Sequence, residues 1–121
     1  MTKMKTINGT QLKQRLDTEP NLVVLEALPE NYYRTGHIPG ALQLTPHHVD
    51  ALAERLIPYK DSPVVVYCAS DACDNSHVAA TRLEKLGYQD VTVYSGGKKD
   101  WEELGFNLTK AAEEKKNCCC A

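Results

Sequence analysis

The sequence predicts an α/β domain built on a mostly parallel sheet, and three observations predict it. Short apolar runs at 22–27, 63–67 and 91–94 read as buried strands. Stretches with helical apolar spacing lie between and after them. Cap residues, Pro and Gly fall at the junctions, where the chain must turn.

Lys5-Thr6-Ile7 forms a short first strand. Asn8 to Thr10 offer cap chemistry for a helix through about residue 17, with Leu12 and Leu16 on one side. A Pro-Asn turn then leads into Leu22-Val23-Val24-Leu25-Glu26-Ala27, the second strand. Pro29 begins a helical turn through Arg34, and the Gly- and Pro-rich segment 36–40 is a loop. Residues 41–44 form a small strand. Thr45 caps and Pro46 opens a helix through about Ile57, with Val49, Leu52, Leu56 and Ile57 on its apolar side. Pro63-Val64-Val65-Val66-Tyr67 is the strongest strand signal in the chain. After a loop from Cys68 to Asn75, a helix runs from Ser76 to Leu86, with Val78, Ala79, Leu83 and Leu86 facing inward and Gly87 just past its end. Val91 to Tyr94 is the last strand. Ser95-Gly96-Gly97 is a turn, and a helix carrying Trp101 and Leu104 ends at Gly105. The organisation is therefore one domain over 1–108 and a polar tail over 109–121 that lies outside the core.

Length and composition agree with one soluble domain. At 121 residues, 42% hydrophobic and 25% charged, the chain can bury a core without a metal or disulfides. The net charge of −2 argues against nucleic acid as a partner. No apolar run approaches the roughly 18 residues that span a bilayer, and the polar start lacks a signal peptide's apolar stretch. A cytoplasmic location is expected, with no membrane partner.

Of the five cysteines, Cys118, Cys119 and Cys120 sit together in the tail, so no disulfide framework spreads through the fold. Cys68 directly follows the best strand, and α/β sites lie outside the carboxyl ends of parallel strands. The segment Cys68-Ala69-Ser70-Asp71-Ala72-Cys73-Asp74-Asn75-Ser76 leads into a helix N-terminus. Such a loop can turn several backbone N–H groups toward one point, and the helix dipole adds positive potential. Both favour a thiolate, which is the nucleophile, and an anionic ligand. Cys68 is equally able to be a small core residue. Cys73 is a resolving thiol, a packing residue or the nucleophile itself. Lys98 and Lys99 stand at the carboxyl end of the last strand and either bring positive charge to the mouth or are solvated.

These residues resemble the rhodanese homology domain from about residue 5 to 108. Gly36-His37-Ile38-Pro39-Gly40-Ala41 looks like the family's GHIPGA signature. Val64-Val65-Val66-Tyr67-Cys68 with Ala79-Ala80 and Leu86-Gly87-Tyr88 looks like its strand, cysteine loop and helix. Tyr94-Ser95-Gly96-Gly97 with Trp101 looks like its GG-x3-W ending. The resemblance implies a small, mostly parallel sheet of about four or five strands with helices on both faces. It also implies a sulfurtransferase: Cys68 takes sulfane sulfur from thiosulfate or a low-molecular-weight persulfide and passes it to a thiol, a cyanide-like nucleophile or a protein acceptor. The implied substrate-binding set is Ala69, Ser70, Asp71, Ala72, Cys73, Asp74, Asn75, Ser76 and Lys98. No cofactor and no metal are expected.

The chain departs from the family pattern at three places. Glu26 and Leu28 occupy the positions of an Asp-x-Arg pair, so the arginine is missing. Asn75 stands where many members place an arginine before the helix serine. The loop is about two residues longer than the common form, and it matches the C-x4-C-x2-S subset through Cys68, Cys73 and Ser76. Asp71 and Asp74 add negative charge that opposes a dianion such as thiosulfate. Related phosphatases and arsenate reductases use C-x5-R, but Asp74 and Ala79 stand six residues after the two cysteines, so that chemistry is not expected.

His37 is read as structural, fixing the signature loop. His47, His48 and His77 show no metal-ligand spacing, and Cys68, Cys73 and His77 lack a fourth zinc ligand. Arg34 could face the mouth. Two other readings compete with sulfur transfer: a non-catalytic binding or regulatory module, and a redox sensor joining Cys68 to Cys73.

Overall fold

A computed structural model of the protein describes residues 5–44, 48–69 and 74–109. In chain order its elements are β1 (Lys5–Thr6), α1 (Gly9–Thr18), β2 (Val23–Glu26), α2 (Glu30–Thr35), β3 (Leu42–Gln43), α3 (Val49–Leu56), β4 (Pro63–Tyr67), α4 (Asn75–Lys85), β5 (Asp90–Tyr94) and α5 (Gly97–Glu103). The five strands form one sheet in the order β1-β5-β4-β2-β3, and every pairing is parallel.

Local chemistry explains the element ends. Asn8 caps α1: its side chain accepts from the Gln11 N–H at 2.7 Å, while the Gln11 side chain accepts from the Asn8 N–H at 3.0 Å. This reciprocal box satisfies two N–H groups the helix cannot satisfy itself. Gly87 stops α4 because its φ of 103° is a conformation that side-chain-bearing residues rarely adopt.

Side chains alternate across the sheet and give two cores. Leu25, Val64, Val66, Val91 and Val93 face α3 and α4, where Val49, Ala53, Ile57, Ala79, Ala80 and Leu83 meet them. Val24, Val65, Tyr67 and Tyr94 face the other way, toward Leu12, Ile38 and Trp101. A parallel sheet covered on both faces needs strands that are apolar throughout, and Val64 to Tyr67 are all fully buried. Each such aliphatic side chain contributes about 1.5–3 kcal/mol.

Some expectations shift. Val78 is not inward-facing: it is 56% exposed, and Ala80 takes the buried place. The buried positions of α4 are Ser76, Ala79, Ala80 and Leu83. This i, i+3, i+4, i+7 stripe presents small residues, so the helix can lie close on the sheet. Thr109 is held, forming an antiparallel bridge to His37 with hydrogen bonds of 2.9 and 2.7 Å. The remaining tail residues, and the expected cap Thr45 with Pro46 and His47, lie outside the described residues.

The topology singles out one place for a site. From β2 the chain continues to β3 on one side, and from β4 to β5 on the other. Connections diverge between β2 and β4, and the crevice beyond their carboxyl ends is where ligands bind in such sheets.

Candidate active site

Cys68 stands at that crevice, one residue after β4, whose last residue Tyr67 pairs with Glu26 of β2 and Tyr94 of β5. The residue is 1% exposed, and its Sγ lies 3.5 Å from the Oγ of Ser76 in the first turn of α4. The thiol donates to Ser76 in this geometry. In the thiolate the hydroxyl can reverse and donate to sulfur. The first-turn N–H groups of α4 have no acceptors within the helix, and no acidic residue lies in that turn. Their dipole favours negative charge at the sulfur, opposed by the Asp74 carboxyl at the N-cap of the same helix.

The start of the loop is tied to α5. The Lys98 N–H donates to the Cys68 carbonyl at 3.0 Å, and the Lys99 N–H donates to the Ala69 carbonyl at 2.9 Å. Of the expected substrate-binding residues, Ala69 thus begins the loop, while Asp74, Asn75 and Ser76 form the head of α4. Ser70, Asp71, Ala72 and Cys73 lie outside the described residues.

Beneath Cys68 lies a buried polar cluster that the sequence did not announce. Glu26 is fully buried. The Tyr67 hydroxyl donates to its Oε1 at 2.8 Å and accepts from the Ile38 N–H at 3.0 Å. The Lys98 ammonium lies 3.2 Å from its Oε2 and also donates to the carbonyls of Tyr32 at 2.9 Å and Gly36 at 2.7 Å. Burial raises the Glu26 carboxyl above its ordinary 4.5, opposed by the Tyr67 hydrogen bond and the Lys98 charge. Burial, with the neighbouring Glu26 charge, also pushes the Tyr67 phenol well above its ordinary value. Lys98 is therefore no solvated lysine: its side chain is 12% exposed and its ammonium points at Glu26. The one hint in the sequence was an acidic residue ending an apolar strand. Its cation comes from 72 residues away, a separation that no local pattern encodes.

His37 is buried, stacks on Tyr33 at 3.8 Å between ring centroids and places Nδ1 2.9 Å from the Tyr33 carbonyl. That geometry holds the signature loop, as expected. Arg34 is 61% exposed and reaches Glu30 at 3.7 Å. Among the described residues no three His, Cys, Asp or Glu side chains are placed to hold a metal. None of the helices described is long and apolar enough to cross a membrane.

A thiol at the divergence point of a parallel sheet, beside a helix N-terminus, defines a cysteine-centred α/β domain. The profile of the Rhodanese-like domain matches residues 8–104, and the chain belongs to that family. It is 30% identical over 99 residues to the thiosulfate sulfurtransferase GlpE of Pseudoalteromonas translucida, covering 81% of this chain and 89% of that protein. It is 27% identical over 89 residues to the putative sulfur carrier protein YrkF of Bacillus subtilis, covering 74% of this chain and 46% of that protein. The solved rhodanese-like domain of Anabaena sp Alr3790 superposes with a TM-score of 0.78 at 26% identity, over 92% of this chain and 83% of that one. The fold and the family profile agree on a rhodanese-like domain, and the curated relatives carry sulfur-transfer names.

Proposed function

We propose that the protein transfers sulfane sulfur through a persulfide on Cys68. The Cys68 thiolate attacks the outer sulfur of thiosulfate or of a low-molecular-weight persulfide. An S–S bond forms at Cys68, and the donor leaves with the bonding pair, as sulfite or a thiolate. An acceptor thiolate, a cyanide-like nucleophile or a protein thiol then attacks the outer sulfur, and Cys68 departs as the thiolate. No net oxidation occurs and no cofactor is needed.

The observation that carries this reading is the position of the thiol, at the end of the central strand and 3.5 Å from Ser76 Oγ at the head of α4. The names of the relatives agree with it. Main-chain amides of 69–75 and the Ser76 hydroxyl are the groups we assign to the transferred sulfur, with Lys98 acting on the loop through its backbone. Asp74 at the loop's end disfavours a dianion, so an organic persulfide is the preferred donor over thiosulfate. Cys73 is the candidate resolving thiol, and the cytoplasm the expected setting.

Intact-mass measurement after incubation with thiosulfate or glutathione persulfide tests this. A gain of one sulfur atom on the wild type, absent in Cys68→Ser, is expected. An adduct that survives Cys68→Ser and disappears in Cys73→Ser moves the nucleophile to Cys73. A mass unchanged with both donors removes the enzymatic reading.

A further inference from the structure

Lys98 joins four segments that meet around Cys68. Its backbone N–H holds the Cys68 carbonyl at 3.0 Å. Its ammonium holds Glu26 at the end of β2, the Tyr32 carbonyl of α2 and the Gly36 carbonyl that opens the signature loop. Tyr67 completes the tie, joining Glu26 to the Ile38 N–H from the residue just before Cys68. We infer that Lys98 is a positioning residue for the Cys68 thiol, anchoring the first turn of α5 so that the cysteine loop leaves β4 at a fixed place. The inference rests on the sulfur-carrier reading for its purpose but not for its geometry.

The physical reasoning is direct. A lysine stem has four rotatable bonds, and three acceptors fix the ammonium at its end. With the ammonium fixed, the backbone of residue 98 is fixed, and with it the N–H that donates to the Cys68 carbonyl. Without the cation, Glu26 is a buried carboxyl that has lost its compensating charge, which is strongly destabilising. Two effects of Lys98 therefore need separating: compensation of Glu26, and placement of the loop. Glu26, Tyr67, His37 and Tyr33 are the titratable groups that surround the cluster, from β2, β4, the signature loop and α2.

Three variants separate the effects: Lys98→Met, Lys98→Arg, and the pair Glu26→Gln with Lys98→Met. Melting temperature reads compensation. The rate and pH midpoint of iodoacetamide alkylation, resolved on the Cys68 peptide by mass spectrometry, read placement. Lys98→Met is expected to melt lower and to slow Cys68 alkylation about tenfold below its pH midpoint. A thiol displaced from the head of α4 loses stabilisation of its thiolate, and a rise of about one unit in the midpoint is about tenfold in thiolate. Lys98→Arg is expected to recover part of that rate. The double variant removes both buried charges, so its melting temperature returns toward wild type while Cys68 remains slow. A double variant that recovers both readouts, or a folded Lys98→Met whose Cys68 reacts at the wild-type rate, overturns the inference. Sulfur uptake is scored separately, so wild type that takes up no sulfur yet shows the Lys98-dependent alkylation refutes only the carrier reading.

Discussion

On the face of the sheet covered by α3 and α4, Leu25, Val64, Val66, Val91 and Val93 meet aliphatic side chains, and the Tyr88 hydroxyl in the same cluster ends on the Ile57 carbonyl at 2.7 Å. The opposite face carries Tyr67, Tyr94 and Trp101. Each of these three aromatics buries its ring and gives its polar end a partner: Tyr67 to Glu26, Tyr94 to Asp100 at 2.6 Å, and Trp101 Nε1 to the Asn107 carbonyl at 3.0 Å. The comparison teaches a division of labour. The aliphatic face supplies non-directional burial. The aromatic face adds directional bonds, and Tyr67, whose hydroxyl ties Glu26 to the Ile38 N–H, is the residue directly before Cys68.

Leu83→Ala is the largest test of that division. The side chain is fully buried on the aliphatic face, and its loss should cost about 2–5 kcal/mol in urea denaturation. Cys68 alkylation measured on the folded protein should be unchanged; a slowed rate would break the contrast between faces. Tyr67→Phe comes next. It leaves the ring in place but strips the Ile38 N–H and Glu26 of a shared partner, at about 1–3 kcal/mol. Here the Cys68 alkylation rate should fall together with stability, sharpening the distinction.

The smallest effect is a pH slope. The folded protein raises the Glu26 carboxyl above 4.5, so it holds the proton more tightly than the unfolded chain does. Stability from this group is thus present at low pH and declines as pH rises from about 4.5 through the folded value. Denaturation of wild type and Glu26→Gln across pH 4 to 8 should show wild type losing stability relative to the variant as pH rises. A difference that grows in the opposite direction would mean that the Lys98 charge outweighs burial.

What the sequence made legible follows from how local the physics is. β4 could be read to the residue because five consecutive strand-compatible residues end at a cysteine loop. The start of α1 could be read because Asn8 and Gln11 make a box within one turn. Cys68 was legible as a candidate because its place follows from the strand before it. The inward face of α4 was misjudged because Val78 is more apolar than Ala80, whereas close helix–sheet packing selected the smaller residue. Lys98 was read as a surface or mouth charge because nothing near residue 98 reveals the buried carboxyl it meets. Contacts across the sheet, such as Glu26 with Tyr67 and Lys98, depend on strand order, which spacing alone does not set.

The placement of β1 has a consequence for how the chain is made. Its described pairing is with β5, joining Lys5 to Thr92 and Thr6 to Val93. During synthesis β1 must wait for β5 to emerge, whereas Leu12 of α1 already meets the earlier-made Val24, Ile38 and Val65 in its cluster. The pairing of β1 with β5 is a long-range closure, the class of contact that slows folding because loop entropy is lost before the contact forms.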